Sequence, residues 1–356
     1  MKTYEIIQES KGKEYAVSAI IPIYNVADYL AECLECMVNQ TLKNMEIICI
    51  NDGSSDQSLE IIKKFAEADD RFTVINQENQ GVSASRNHGI MEAKGEYLYF
   101  MDGDDKLALH SMEDLYNVSK KDDLDIMYFN AVCFGNEIEV KKNQWYFQRK
   151  NEYPSITTGS QMFLLHENNK ELKVSPCLQF VRKDHILSNH ILFHEGVLHE
   201  DNAFSILSML SAKKVGYVNQ AYFYRRYREN SIMTMPKNFN HLYGCYMAAK
   251  DIADRKDIIS KLSEEEQLAV HVVINRLLTD ARNRYATMND TERMKYQNLS
   301  LEERLDFEML VVYPGKIKQD LIKAKTKFYH KLKIYHSLKN KFSREQMMAL
   351  KKIFKK

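Results

Sequence analysis

The first hundred residues alternate between short apolar segments and segments whose apolar residues recur at helical spacing. The apolar segments cover residues 16–21, 45–50, 72–75 and 96–101, and helical patterns fill the intervals between them. Strands that alternate with helices of about ten to fifteen residues are typical of βαβ units, which build a mostly parallel sheet. The sequence therefore predicts an α/β fold.

Signals at the ends of these segments place the first helices. The first strand is expected to stop at Pro22, and Asn25 is in position to cap the helix that follows. Gly81 opens a helix that runs to about Ala93. Further strands are expected at 125–129 and 178–182, a helix at 201–210, and a short strand pair at 215–218 and 222–225.

Strand patterns end at about Asn238, and helical stretches such as 268–285 and 319–342 dominate the remainder. We therefore predict two parts: an α/β domain at 1–235 and a helical C-terminal region at 236–356. The pattern shows no internal repeat.

The composition is that of a soluble globular protein, with 44% hydrophobic and 28% charged residues. The sequence has no run of eighteen apolar residues and no apolar N-terminal leader, which predicts a cytoplasmic location. Cys33 and Cys36 form the one Cys-x-x-Cys pair. A zinc site would need a second pair of ligands, so both cysteines are interpreted as small apolar residues of a helix.

The charge is distributed unevenly along the chain. Residues 316–356 carry a net charge of +12 and, because the whole chain carries +1, the first 315 residues carry −11. Phe328, Leu332, Tyr335, Leu338 and Phe342 form an apolar helical stripe in this basic tail. The stripe either lies on an anionic membrane surface, which implies a peripheral location at the inner face of the cell membrane, or packs on preceding helices. Nucleic acid is not an expected partner, since the tail has no recognisable reading motif.

Acidic residues follow two of the predicted strands. Asp52 comes after the second strand, and Asp102, Asp104 and Asp105 come directly after the fourth. In open α/β sheets, ligands bind beyond the carboxyl ends of the strands. A turn so rich in carboxylates suits a hard divalent ion such as Mg²⁺ or Mn²⁺, which can also bind a diphosphate. The alternative is a solvated Asp-Gly turn without a ligand.

Four motifs in this order resemble a known family. They are residues 17–26 (VSAIIPIYNV), 50–56 (INDGSSD), 79–87 (NQGVSASRN) and 99–105 (YFMDGDD). Together they are similar to the family 2 bacterial glycosyltransferases of the surface-polysaccharide type, over residues 15–130 and, more loosely, 175–235. The resemblance implies a GT-A fold, a Rossmann-like domain with a mostly parallel central sheet.

The resemblance also implies roles for residues on the donor side. Pro22 and Tyr24 would line the nucleotide base and stack on it, and Asp52 would accept a hydrogen bond from the base edge. Asn79 and Arg86 would approach the nucleotide at a helix N-terminus, where the helix dipole favours negative charge.

The aspartate-rich turn would hold the sugar and a metal. Asp102 would bind the ribose or the sugar, and Asp104 would bind Mn²⁺ or Mg²⁺. Asp105 is the alternative metal ligand, so the metal set is Asp104, Asp102 and Asp105. The alternative for these three aspartates is the solvated Asp-Gly turn without a ligand.

Residues further along match the family's acceptor side. Leu198-His-Glu-Asp-Asn202 is similar to its Glu-Asp motif, which makes Asp201 the expected base, with Glu200 either positioning it or contacting the acceptor. The alternative is a helix N-terminus enriched in acids. Arg228 and Ser231 would contact the diphosphate, because an Arg fork suits phosphate oxygens; a solvated basic loop is the alternative.

The implied reaction moves a sugar from a nucleoside-diphosphate sugar, with UDP as the expected nucleotide, to a hydroxyl of a surface glycan or lipid-linked acceptor with inversion. One alternative is nucleotidyl transfer, which would need a Gly- and Lys/Arg-rich loop where the sequence has Pro22-Ile-Tyr-Asn25. The other is a non-catalytic nucleotide- or glycan-binding member of the same fold. Donor sugar, acceptor, linkage and oligomeric state do not follow from the sequence.

Overall fold

A computed structural model describes residues 3–12, 14–143, 146–228 and 238–312. Its described strands form one ten-stranded mixed sheet. The strands are β1 (Tyr4–Gln8), β2 (Tyr15–Ile23), β3 (Met45–Asp52), β4 (Phe72–Gln77), β5 (Gly95–Phe100), β6 (Lys106–Leu107), β7 (Ile126–Gly135), β8 (Ile156–Thr157), β9 (Gln179–Arg182) and β10 (Val215–Tyr227).

Helices connect the strands and continue after the last of them. They are α1 (Ala27–Val38), α2 (Ser58–Ala68), α3 (Val82–Glu92), α4 (Ser111–Lys121), α5 (Glu137–Asn143), α6 (Gly159–Asn168), α7 (Lys183–Ser188), α8 (Glu200–Ser211), α9 (Phe239–Asp254), α10 (Lys256–Ile259), α11 (Glu264–Thr287), α12 (Asp290–Arg293) and α13 (Leu301–Phe307). Short 3₁₀ turns cover Pro176–Leu178 and Met294–Asn298, and a π-helical turn covers Glu308–Val312.

The sheet has the order β1-β4-β3-β2-β5-β9-β7-β10-β6, and β8 pairs with β10. The pairs among β2, β3, β4 and β5 are parallel, as is the pair of β7 with β10. β9 is antiparallel to both of its neighbours, β5 and β7. The carboxyl ends of β2, β3, β4 and β5 therefore meet at one edge, which is where the acidic turns lie.

Burial on both faces explains the apolar runs of the central strands. Every residue of β3 is buried. Ile47 joins a core with Leu30 of α1 and Ile62 of α2 on one face. On the other face α3 lies close to β2, because a Cβ on Gly89 would come within 2.4 Å of Ile20 Cγ2. Parallel strands covered on both faces are expected to be apolar throughout. The predicted α/β fold with a mostly parallel sheet is confirmed.

Two predicted boundaries near the first strand are wrong. β2 continues through Pro22 to Ile23. Val26, not Asn25, is the N-cap of α1. Asn25 instead has φ +51°, and its Oδ1 accepts a hydrogen bond from the backbone N–H of Ser55, so this side chain ties two loops together.

The predicted strand pair at 215–225 is also wrong, since it is the single thirteen-residue strand β10. β10 runs parallel to β7 along its length, with register irregularities between Tyr217 and Phe223 that hide the continuity in the sequence. The polar lead-in contains a further strand, β1, which pairs antiparallel with β4 at the sheet edge.

The chain forms two compact units, residues 1–292 and 293–356. In the first unit α9 packs on α8 and α11 packs on α9, so helices that follow β10 belong with the sheet. The predicted boundary at 235 lies outside the described residues and stays a prediction, as does the structure of the tail at 316–356. Among the described residues, no helix is long and apolar enough to cross a membrane.

Candidate active site

The aspartate-rich turn joins β5 to β6 at the carboxyl edge of the sheet. The backbone N–H of Asp105 donates to the carbonyl of Asp102 at 3.1 Å and closes the turn. Asp102 and Asp104 remain partly exposed, whereas Asp105 is 2% exposed. The turn thus presents two carboxylates to solvent and keeps the third inside.

Arg86 of α3 connects this turn to the start of α8. Its Nη2 donates to Asp102 Oδ1 at 3.0 Å, and its Nη1 donates to Glu200 Oε1 at 2.7 Å. The guanidinium is buried and lies 5.1 Å from the centre of the Phe193 ring. Burial acts to lower the pKa of Arg86, but the charges of Asp102 and Glu200 outweigh it and raise this pKa above its usual value. Arg86 is therefore a fixed positive charge between the two acidic clusters.

Asp201 lies beside this bridge, at the second position of α8. Helix α8 begins after His199, which takes a left-handed conformation with φ +63° and turns the chain into the helix. Asn202 Nδ2 donates to Asp201 Oδ1 at 3.1 Å. Burial and the neighbouring charge of Glu200 raise the pKa of Asp201 to about 7. A carboxylate with this pKa can both accept and release a proton near neutral pH.

Asn87, the residue after Arg86, holds the loop that leads to α8. Asn87 Nδ2 donates to the Phe193 carbonyl and Asn87 Oδ1 accepts from the Phe193 N–H, both at 2.9 Å. The same Nδ2 also donates to Glu195 Oε1 at 3.0 Å. Helix α3 therefore positions both the arginine bridge and the loop before Glu200.

Three arginines at the end of β10 face the aspartate-rich turn. Arg228 Nε donates to Asp104 Oδ2 at 2.6 Å, and the Arg226 backbone N–H donates to Asp105 Oδ1 at 2.6 Å. Arg225 Nη1 lies 3.8 Å from Asp102 Oδ2. Burial, together with the charges of Asp104 and Asp102, raises the pKa of Asp105 well above its usual range, although Arg225 opposes the shift.

The family resemblance predicts a contact for Arg228 but none for Arg225 or Arg226. Their Arg-Arg-x-Arg run was visible, but the strand assignment ended at residue 225 and gave no reason to place all three against the aspartates. Ser231 lies outside the described residues, so its predicted contact with the diphosphate stays a prediction.

Asp52 is buried at the end of β3 and holds the loop before α3. Its Oδ1 accepts from Gln77 Nε2 and the Gln80 N–H, both at 2.8 Å, and its Oδ2 accepts from the Gly81 N–H at 2.9 Å. These three donors leave only part of its acceptor capacity for a nucleotide base. The sequence-based role for Asp52 stays a prediction, and the structure adds a second role in shaping the loop.

The other predicted base contacts lie around the same edge. Tyr24 is 51% exposed and follows β2, where its ring is accessible for stacking, and Pro22 is half-buried near the strand end. Asn79 is exposed, and its backbone approaches Gly53 closely enough that a Cβ on this glycine would lie 2.7 Å from Asn79 N. Gly53 has φ +69°, so both its conformation and its space favour glycine.

The described residues contain no cluster of three or more side chains placed to hold a metal ion. Of the three predicted ligands, Asp104 fits best, because it is partly exposed and only its Oδ2 is paired, with Arg228. Asp102 faces Arg86 and Arg225, and Asp105 is buried against backbone. Mg²⁺ often takes one or two carboxylates and completes its shell with substrate phosphates. The arrangement therefore fits a metal held by Asp104 together with a bound diphosphate.

The fold is that of an open, mostly parallel α/β sheet, in which ligands bind beyond the carboxyl ends of the strands, and the acidic turns lie at that edge. Residues 18–178 match the family model Glycosyl transferase family 2. The glycosyltransferase GlyG of Streptococcus pneumoniae is 33% identical over 224 residues, which cover 61% of this chain and 72% of GlyG. This chain belongs to glycosyl transferase family 2.

This chain is also similar to a second relative in sequence and to a solved structure. The cholesterol galactosyltransferase of Borreliella burgdorferi is 37% identical over 229 residues, 62% of each chain, so this chain spans less than two thirds of that relative. The crystal structure of S. aureus TarS 1-349 in complex with UDP-GlcNAc is 20% identical with a TM-score of 0.62, and the alignment covers 83% of this chain and 81% of the TarS 1-349 chain. The TarS similarity supports the fold, and the predicted family is confirmed.

Proposed function

We propose that this chain transfers a sugar from a nucleoside-diphosphate sugar to a hydroxyl of a surface glycan or lipid-linked acceptor. The observation that carries the proposal is the Arg86 bridge, which joins Asp102 of the aspartate-rich turn to Glu200, the residue before Asp201. Asp102 belongs to the proposed donor side, and Glu200 and Asp201 belong to the proposed acceptor side. A UDP-sugar is the expected donor from the motif resemblance, and the nucleotide sugar in the TarS complex makes it the first to test.

The acceptor side supplies a base. A sugar hydroxyl is a poor nucleophile until its proton is removed, and Asp201, with a pKa of about 7, can take this proton at neutral pH. The oxygen then attacks the anomeric carbon from the face opposite the leaving diphosphate, and the configuration inverts. Burial and the charge of Glu200, which Arg86 holds in place, keep the pKa of Asp201 high, although the charge of Arg86 itself opposes this shift.

The donor side supplies positive charge for the leaving diphosphate. Arg225 and Arg228 lie at the aspartate-rich turn, and an Arg fork suits phosphate oxygens. A divalent ion, when bound with the diphosphate at Asp104, would offset further negative charge on the leaving group. Because Arg228 is paired with Asp104 in this structure, the same arginine can pass from the carboxylate to the diphosphate as the donor binds.

Two other functions are less well supported. Nucleotidyl transfer would need a basic, glycine-rich loop after the first strand, but β2 leads into the sequence Tyr24-Asn25-Val26. A non-catalytic role would not require a carboxylate with a pKa near 7 at the edge of the site, which Asp201 provides. Attraction of the basic tail to an anionic membrane stays a prediction, because residues 316–356 lie outside the described residues.

Calorimetric titration with UDP tests the donor site and the role of Asp104. Adding Mn²⁺ is expected to tighten UDP binding to the wild type by about tenfold or more, equivalent to about 1.4 kcal/mol. Asp104→Ala is expected to remove this gain, because the remaining aspartates are paired with arginine or backbone. UDP binding without Mn²⁺ should persist, since Arg228 is then free to meet the diphosphate.

Asp70→Ala is the matched control for this titration. Asp70 is an exposed aspartate just before β4, at the opposite end of the strand from the site, and its one ion pair among the described residues is with the exposed Lys11. Its removal should leave the Mn²⁺ effect unchanged. An undiminished Mn²⁺ effect in Asp104→Ala would exclude Asp104 as the metal ligand.

A further inference from the structure

A second group of buried polar side chains lies apart from the proposed active site, against the first half of β7. Its centre is Arg149, which is 1% exposed. Arg149 Nη1 donates to the carbonyl of Phe129 at 2.8 Å, and the Arg149 backbone N–H donates to Asn130 Oδ1 at 3.1 Å. These bonds fix the guanidinium inside the protein. Among the described residues, no carboxylate forms an ion pair with it.

One edge of this guanidinium is buried without an acceptor. Arg149 Nε and Nη2 have no hydrogen-bond partner among the described residues. These two nitrogens lie along the same edge of the planar guanidinium, and their N–H groups point in the same direction, so together they form a fork that can bind an anion. Three other arginines in this chain use the same pair of nitrogens on a carboxylate: Arg71 on Asp69, Arg255 on Asp257 and Arg284 on Asp280.

Two more buried groups near Arg149 have polar atoms without partners. His166 of α6 is fully buried, and neither ring nitrogen has a partner among the described residues. Tyr128 of β7 is 2% exposed, and its hydroxyl is likewise unpaired. The Tyr128 ring centre lies 5.8 Å from the Arg149 guanidinium carbon and 6.0 Å from the His166 ring centre. A guanidinium edge, an imidazole N–H and a hydroxyl are all donors, and each unpaired buried donor costs free energy.

The nearest acid does not supply the missing acceptor. Glu171 accepts from the backbone N–H groups of Lys150 and Asn151 and from the hydroxyl of Tyr153. Burial, followed by the charges of Arg149 and Lys173, holds the pKa of His166 well below its usual value, so Lys173 is a second positive charge near the group. The region therefore has an excess of positive charge and of hydrogen-bond donors.

We infer that Arg149, His166 and Tyr128 bind a small monovalent anion of the size of chloride. The fork of Nε and Nη2 would hold it, and the Tyr128 hydroxyl and one His166 N–H would complete its shell. The rings of Tyr128, Tyr153 and Tyr217 surround His166, so a larger oxyanion would have to displace aromatic side chains. The bound anion would offset the buried charge of Arg149 and stabilise β7, which pairs with β10, the strand that carries Arg225 and ends just before Arg228.

Thermal unfolding of the full chain tests this site without any activity assay. Sodium chloride is replaced by sodium gluconate at equal ionic strength, so that screening is constant and only the small anion changes. The Tm of the wild type is expected to fall by about 2–4 °C or more in gluconate, and bromide should restore it. Crystals grown in bromide should show an anomalous peak at the Arg149 fork.

Two variants separate this site from general salt effects. Arg149→Met should unfold at the same temperature in chloride and gluconate. Tyr128→Phe keeps the packing and removes one donor, so it should weaken the chloride dependence several-fold even if Arg149→Met does not fold. Equal Tm values of the wild type in chloride and gluconate, no bromide peak, or a chloride effect that persists in Arg149→Met would overturn the proposal.

Discussion

Asp201→Asn is expected to lower the rate of sugar transfer by about 10²–10⁴-fold, the range that a positioned general base contributes. The substitution keeps the size of the side chain and its hydrogen bond to Asn202 but removes the site that accepts the proton. Donor binding should change little, because the nucleotide contacts proposed above lie on other residues. Steady-state kinetics with a competent donor and acceptor measure the rate of transfer as kcat and report on donor binding through the KM for the donor.

The pH dependence of the same reaction gives a second measure of this base. In the wild type, kcat/KM should rise with pH to a plateau above about 7, because only the ionised form of Asp201 accepts a proton. Below pH 7 the ionised fraction falls tenfold per unit, and kcat/KM should fall with it. This limb should be absent in Asp201→Asn. Transfer at the wild-type rate by Asp201→Asn would exclude Asp201 as the base.

Stability measurements can distinguish the loss of a base from a folding defect. A raised pKa means that the folded state binds the Asp201 proton more tightly than the unfolded state does. The contribution of Asp201 to the free energy of unfolding is therefore lost as the pH rises from the usual aspartate range to about 7. At pH 8, Asp201→Asn should be at least as stable as the wild type. Asp184→Asn is the matched control, because Asp184 is also the second residue of its helix, α7, but is exposed. It should leave transfer unchanged.

Arg86→Met is expected to destabilise the protein by about 3–5 kcal/mol, since removing one member of a buried ion pair leaves the other charge uncompensated. Here two carboxylates, Asp102 and Glu200, lose the same partner. Transfer should also be lost, because these two groups then repel each other across the site. Denaturant unfolding measures the first effect and nucleotide release the second.

Two further variants test whether loss of the Arg86 bridge causes both the loss of stability and the loss of transfer. Arg182 also joins two carboxylates, Glu96 and Asp123, but Asp123 is largely exposed, so Arg182→Met should cost less than about 1 kcal/mol and keep transfer. Adding Glu200→Gln to Arg86→Met removes one stranded charge and should recover part of the stability without recovering transfer. If Arg86→Met were as stable and as active as Arg182→Met, the bridge would have no role.

The elements that the sequence predicted well are those whose patterns are set locally. β3 and α1 each carry an apolar pattern that fits one kind of secondary structure and one buried surface, and both form as expected. β10 was misjudged because its register irregularities interrupt the alternation, and β1 because an edge strand needs few apolar residues. Local pattern also does not reveal that β9 enters the sheet antiparallel between β5 and β7.

The site was predicted as separate motifs rather than as one network. Spacing placed Asp102 and Glu200 at the ends of different elements. However, 114 positions separate Arg86 from Glu200, and it is the order of the strands in the sheet that brings these two side chains into contact. The paired state of Asp104 and the burial of Asp105 depend on the register of β10, which sequence patterns do not specify. The buried Arg149 group was not recognised, because a single arginine in a polar segment gives no sign of burial.

We propose that one site at the carboxyl edge of the sheet turns over a nucleotide sugar with Asp201 as the base. The most direct measurement is a panel of UDP-, GDP-, CDP- and dTDP-sugars, incubated with the full chain, Mn²⁺ and a mixture of glycan and lipid-linked acceptors, with free nucleoside diphosphate as the readout. We expect release from a UDP-sugar by the wild type, and release lower by about 10²–10⁴-fold with Asp201→Asn. Release from none of the donors, or equal release by both proteins, would contradict the account.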